Sequence, residues 1–160
     1  MTREELKREK FLRALDDVGD GYRIQGNKII VEGYVVALPT ITALPLGVEF
    51  NTKGNVYLRK LIKLAPDTVF NNQGDVLIGR VKELSPGVKF NNFGDIGLNS
   101  LTSIPPGVEF NNVGNIRLDK LLDGFLFSRW GSKSIMKDLG IKGIGDKRIF
   151  NLLIKKGFFI

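Results

Sequence analysis

The chain has 160 residues, 42% of them hydrophobic, with a net charge of +7 and neither cysteine nor histidine. That composition argues against disorder and excludes disulfides, thiolate metal sites and every nucleophile–histidine pair. Chemistry would have to rest on carboxylates, lysine, tyrosine or an oxygen-held metal.

The charge is unevenly spread. Residues 1–33 balance at seven basic and seven acidic side chains, whereas residues 129–160 carry eight basic and two acidic ones. Attraction to polyanions is therefore expected of the C-terminal piece. No apolar run approaches the roughly 18 residues of a membrane span. Residues 1–10 lack the apolar stretch of a secretory signal, and a cytoplasmic location is expected.

Residues 1–23 read as an N-terminal capping helix. Thr2 and Glu5 have capping-box spacing, Leu6, Lys10, Phe11, Ala14, Leu15 and Val18 form one helical stripe, and Gly19-Asp20-Gly21 ends it. Such a helix would cover the first open edge of the array that follows, because terminal units otherwise expose the core.

Residues 24–124 repeat with a period of twenty. Phe-Asn-x-x-Gly-(Asn/Asp)-(Val/Ile)-x-(Leu/Ile) begins at Phe50 and Phe70, and its equivalent at Phe90 and Phe110. A fixed short period means one small unit stacked on copies of itself. The apolar residues fall into columns: Phe50, Phe70, Phe90 and Phe110; Val56, Val76, Ile96 and Ile116; Leu58, Ile78, Leu98 and Leu118; Leu61, Val81, Leu101 and Leu121; Leu44, Leu64, Leu84 and Ile104. Val-x-Leu alternates, so it reads as a short strand with both named residues inward. The Val-x-Phe segment reads as a second strand, with the turn between them marked by Ser85-Pro86-Gly87 and Pro105-Pro106-Gly107.

A degraded first copy is expected at Gly26-Asn27-Lys28-Ile29-Ile30, with Ile30 in the place of the repeating Phe. The expected fold class is thus a mainly β repeat solenoid of about five coils.

The columns Asn51, Asn71, Asn91, Asn111 and Asn72, Asn92, Asn112 offer donors and acceptors for bonding along the stack. Gly54, Gly74, Gly94 and Gly114 suit a turn with positive φ. Asp75 and Asp95 are too sparse for a calcium-binding solenoid, so neither metal nor cofactor is expected. Adjacent carboxylates such as Asp16 and Asp17 read as solvated helix surface.

Units such as Leu101-Thr102-Ser103-Ile104-Pro105-Pro106-Gly107-Val108-Glu109-Phe110-Asn111-Asn112 resemble short leucine-rich repeats, in particular the twenty-residue repeats of bacteriophage and bacterial proteins. Phe-Asn-Asn-x-Gly stands where the usual pattern has Leu-x-x-Asn-x-Leu. Both a leucine-rich-repeat horseshoe and a flatter parallel β-solenoid fit that departure. The resemblance implies a non-enzymatic protein that recognises another protein through a repeated face. For a phage-encoded chain the partner would be a host factor, defence components included, in the host cytoplasm.

The candidate protein-binding face is the outward side of the Val-x-Leu strands: Tyr57, Leu77 and Arg117, then Arg59 and Asn99, then Lys60, Arg80 and Lys120. These columns vary where the core columns repeat. Extended repeat surfaces of this kind dock macromolecules, and Tyr, Leu and Arg anchor well.

Residues 125–160 break the period and read as a basic, helical C-terminal segment. Phe125, Phe127 and Trp130 would close the far end, Ser132–Leu139 would form a short helix, and Asp146–Lys156 a second with Ile149, Leu152, Leu153 and Phe150 inward. Gly157 is a natural stop. Ile141-Lys142-Gly143-Ile144-Gly145-Asp146-Lys147-Arg148-Ile149 resembles the helix-hairpin-helix element of DNA-binding proteins. The resemblance implies phosphate contact at Lys142, Gly143, Gly145, Lys147 and Arg148, while a Gly-rich turn between capping helices explains the same residues. A nucleic-acid-binding protein is therefore the alternative function, and a structural component of a virion or assembly the second.

Overall fold

The computed structural model describes residues 1–118, 120–121 and 147–160, with the backbone alone for 147–149. Asp119, the residues Phe125, Phe127 and Trp130, and the expected helix at Ser132–Leu139 lie outside the described residues.

Helix α1 spans Arg3–Val18. Its capping box is formed as the sequence predicts: the Thr2 hydroxyl accepts from the Glu5 N–H, and the Glu5 carboxylate accepts from the Thr2 N–H. Gly19, at φ 75°, ends the helix. Phe11, Ala14 and Leu15 are buried, whereas Leu6 and Val18 stay exposed. The buried stripe is narrower than the periodicity suggests, because only the middle turns of α1 lie over the core.

Eleven short strands follow: β1 (Tyr22–Gln25), β2 (Lys28–Val31), β3 (Val36–Ala37), β4 (Val48–Phe50), β5 (Val56–Leu58), β6 (Val69–Phe70), β7 (Val76–Ile78), β8 (Lys89–Phe90), β9 (Ile96–Gly97), β10 (Glu109–Phe110) and β11 (Ile116–Arg117). Sheet A has the order β1-β2-β4-β6-β8-β10 and sheet B the order β11-β9-β7-β5-β3. Apart from the antiparallel hairpin β1–β2, every pairing between these strands is parallel, with partners usually twenty residues apart. Each coil thus gives one strand to each sheet. The result is a mainly β solenoid of about four full coils, with a helix at either end.

All five apolar columns lie in the buried core. The Phe50, Phe70, Phe90 and Phe110 rings stack nearly parallel, with centroids 5.1, 5.0 and 4.9 Å apart. Those distances match the roughly 4.8 Å between neighbouring strands, so the backbone repeat itself sets the ring repeat. Both caps extend the column. The Phe11 ring meets Phe50 edge-on at 6.4 Å, and Phe150 meets Phe110 at 5.2 Å.

The first coil departs from expectation. Val31, not Ile30, pairs with Phe50, and Ile30 pairs with Glu49. The two-residue turn Gly26-Asn27 launches β2 one residue out of the expected phase. In a strand of period two that single step exchanges the faces.

The corner Phe-Asn-Asn-x-Gly-Asp is held by three stacked sets of bonds. On the outside, Asn71, Asn91 and Asn111 each donate from Nδ2 to Oδ1 of the Asn one coil earlier, at 3.2, 3.0 and 3.1 Å. Inside, Asn72, Asn92 and Asn112 are buried, and each donates to the two flanking glycine carbonyls; Asn92, for example, reaches Gly74 and Gly94 at 3.2 Å each. Third, Oδ1 of Asn55, Asp75 and Asp95 accepts the backbone N–H of Asp75, Asp95 and Asn115 in turn, each at 2.8 Å.

Gly54, Gly74, Gly94 and Gly114 do not have positive φ. Successive coils approach so closely at this corner that a Cβ has no room: on Gly74 it would lie 2.6 Å from the Gly54 carbonyl carbon. Left-handed backbone occurs instead in the other turn, at Gly47, Asp67, Gly87 and Gly107.

Helix α2 spans Lys147–Lys155. Phe150, Leu153 and Ile154 are buried, while Leu152 is 49% exposed. The inward face is therefore the i, i+3, i+4 set from Phe150, and Leu152 does not belong to it. Gly157, at φ 78°, ends the helix as expected.

Asn151 binds the last strand of sheet A as a neighbouring strand would. Its Oδ1 accepts the Phe110 N–H at 2.8 Å and its Nδ2 donates to the Phe110 carbonyl at 2.9 Å. We expect Asn151→Leu to lower stability by about 1–3 kcal/mol, because a part-buried N–H and C=O lose their partners together. Hydrogen exchange at the Phe110 amide should accelerate well before exchange at Phe50. Equal protection in the variant and the parent would show that the pair contributes nothing.

Candidate functional site

Period-two alternation decides which residues of sheet B face outward. Val56 and Leu58 point into the core, so Tyr57 points out, and Leu77, Gly97 and Arg117 follow it in register. Tyr57 and Leu77 are half-buried by their neighbours on the face, Gly97 is buried, and Arg117 is exposed. The Leu77 side chain lies over Gly97, where a Cβ would stand 2.8 Å from Leu77 Cδ2. Tyr57 is fixed by the Asn55 amide, which donates to its hydroxyl at 2.7 Å.

Just past the strand ends stand Arg59 and Asn99, and then Lys60, Arg80 and Lys120, all exposed. The Arg59 guanidinium lies 5.8 Å from the centre of the Tyr57 ring, within cation–π reach. Two shallow depressions flank Arg59. One, of about 230 Å³, is lined by Ala37, Leu38, Pro39, Tyr57 and Arg59. The other, of about 130 Å³, is lined by Arg59, Leu77, Ile78, Gly79, Gly97 and Asn99. The fold thus gathers Tyr57, Arg59, Leu77 and Asn99 into one continuous surface, with Arg117 and Lys120 at its far rung.

A wider hollow of about 450 Å³ lies round the next corner. Its lining includes Ile62, Lys63, Arg80, Lys82, Glu83 and Pro86. Arg80 was expected on the binding face; Ile62, Lys63 and Lys82 were not. The available signal was that these positions vary from coil to coil, as the strand-face positions do: Ile62 is replaced by Lys82 and then Thr102, and Lys63 by Glu83 and then Ser103.

The charges on the two sheets differ. Sheet A presents Glu49, Val69, Lys89 and Glu109 outward, beside the neutral Asn column. The ion pairs among the described residues are Glu4–Lys7, Glu9–Arg13, Arg23–Glu32 and Lys28–Glu49. They belong to α1 and the strands β1, β2 and β4. No cation of the sheet B flank takes part in an ion pair among the described residues. Three perturbed ionisable groups also lie at the N-terminal end. Hydrogen bonds from Thr2 hold the Glu5 carboxyl low, burial raises Asp20, and a hydrogen bond to Asp16 raises Tyr22.

Of the helix-hairpin-helix-like residues, Lys142, Gly143 and Gly145 lie outside the described residues. Lys147 and Arg148 open α2, the helix whose Phe150 and Asn151 close the end of the solenoid. Among the described residues, no three acidic side chains gather where they could hold a metal ion. Asp75 and Asp95 each give Oδ1 to a backbone N–H of the next coil.

Compared with known proteins, the chain matches no family model, no curated protein and no solved structure.

Proposed function

We propose that this chain is a non-enzymatic protein-binding repeat protein that docks its partner on the outward face of sheet B. One observation carries the reading. The five apolar columns of the core repeat from coil to coil, whereas the outward column changes from Ala37 through Tyr57, Leu77 and Gly97 to Arg117 without disturbing the core. A face that served only to meet water has no need of a tyrosine and a leucine half-buried beside depressions the size of one or two side chains. The resemblance of the repeat units to phage and bacterial repeat proteins favours a partner from a host cell, defence factors included.

The test compares the parent with a Tyr57→Ala/Arg59→Ala/Leu77→Ala variant as bait in a nuclease-treated bacterial lysate, read by quantitative mass spectrometry. A protein retained by the parent should fall by roughly tenfold or more with the variant, in keeping with loss of interface anchors. Thermal unfolding of the two should stay close, since all three side chains are outward. Equal retention by both baits would refute the assignment of this face.

A further inference from the structure

Among the described residues, the sheet B flank carries a local excess of positive charge that no ion pair neutralises. Arg59, Lys60, Lys63, Arg80 and Lys82 are all exposed and come from two adjacent coils. Against them stands Glu83, on the same stretch. Adjacent coils are about 4.8 Å apart, less than the roughly 8 Å screening length at physiological salt. These charges therefore act on an approaching ligand together rather than singly.

The cations are interleaved with apolar surface. Ile62 is 57% exposed between Lys63 and Lys82 at the wider hollow, and Leu77 lines the depression beside Arg59. We infer that the preferred partner segment is an extended acidic stretch of protein that carries aliphatic residues between its carboxylates. Its carboxylates would meet Arg59, Arg80 and the neighbouring lysines, with the guanidinium groups able to take them two-pronged. Its aliphatic side chains would enter the depressions on either side of Arg59.

A nucleic acid shares the negative charge, but the apolar part of the surface favours a polypeptide. Single strands bind without sequence preference through several aromatic platforms set along a basic groove. The outward column of sheet B holds one ring, Tyr57, and Arg59 already lies over it. A phosphodiester backbone has no side chain to fill the depressions. The inference rests on the protein-docking reading above and adds the chemistry of the docked segment.

The experiment uses the full chain and fluorescence anisotropy with four labelled probes: a short Glu-Leu-Glu-Ser repeat peptide, the same peptide with Gln for Glu, the same with Lys for Glu, and an oligothymidylate of similar length. The acidic peptide should bind, with affinity falling roughly tenfold or more as salt rises from about 50 to 300 mM. Arg59→Glu/Arg80→Glu should weaken it by a further tenfold or so, through both lost anchors and added repulsion. Lys89→Glu, on sheet A, should leave it unchanged. Absence of binding by the acidic peptide, or equal binding of the Gln peptide, overturns the inference. In the second case, loss of Gln-peptide binding in Tyr57→Ala/Leu77→Ala would leave the docking face standing without its charge preference. Oligothymidylate binding as tightly as the acidic peptide overturns the inference in favour of a nucleic-acid surface.

Discussion

Phe90→Ala is expected to lower the free energy of unfolding by about 3–5 kcal/mol, the usual cost of deleting a buried aromatic ring. Phe90 is fully buried, with the Phe70 ring 5.0 Å away on one side and Phe110 4.9 Å away on the other. Its removal strips one face from each neighbour as well as losing its own contacts. The surroundings cannot collapse to fill the space, because the rung spacing is fixed by the parallel backbone bonds of sheet A, including Asn91 N–H to the Phe70 carbonyl and Asn111 N–H to the Phe90 carbonyl. The column is also the path by which coils support one another, since a lone twenty-residue coil closes no core. A loss of this size approaches the whole stability of an ordinary domain of about 5–15 kcal/mol. Urea unfolding followed by circular dichroism gives the comparison. Phe93→Ala, the same chemical change at a side chain 63% exposed, should stay within about 0.5 kcal/mol of the parent. Similar midpoints for the two variants would deny that the stacked rings hold the solenoid together.

Much of this core is legible in the sequence because a stack imposes one rule on every coil. Phe50, Phe70, Phe90 and Phe110 share an environment, so the same residue type solves the same packing problem four times. The rule fails where the stack ends. Counting back one period of twenty from Phe50 reaches Ile30, yet the hairpin made by Gly26-Asn27 shifts the register and Val31 takes the place. Strand β1 itself leaves little trace, because an edge strand with exposed residues on both faces has no alternation to read. At the other end, Leu152 and Ile154 are equally apolar, and only the angle at which α2 meets the last coil decides that Ile154 is buried.

The outward face of sheet B is legible for a related reason. Once Val56 and Leu58 are assigned inward, Tyr57 has nowhere else to go. The grouping of Arg80 with Ile62, Lys63 and Lys82 is a different matter. Those residues meet across a corner, and the shape of that corner depends on the coil cross-section rather than on any spacing in the chain. The asparagine columns lie between these cases. Stacking is readable from the period, but the sequence alone does not distinguish Asn71, whose amide bonds along the outside, from Asn72, whose amide binds two glycine carbonyls inside.

Gly94→Ala should be among the most damaging single-methyl additions available to this chain, at or above the upper end of the 1–3 kcal/mol typical of overpacking. The reason is proximity and not dihedral freedom. A Cβ on Gly94 would stand 2.2 Å from Asp75 Oδ1, 2.6 Å from the Gly74 carbonyl carbon and 2.7 Å from the Asp75 nitrogen. A side chain can swing aside, but two backbone atoms of the coil below can move only if the rungs separate. Separation would stretch the Asn92 amide off the Gly74 carbonyl and the Gly94 N–H off the same oxygen, bonds of 3.2 Å each. The double variant Gly94→Ala/Asp75→Ala discriminates the causes. It clears the carboxylate and leaves the backbone clash, so it should remain as unstable as Gly94→Ala or more so, because the Asp95 N–H also loses its acceptor. Recovery of the parent midpoint in that double variant would mean the crowding is a side-chain matter, and that neighbouring coils have more freedom to part than this corner implies.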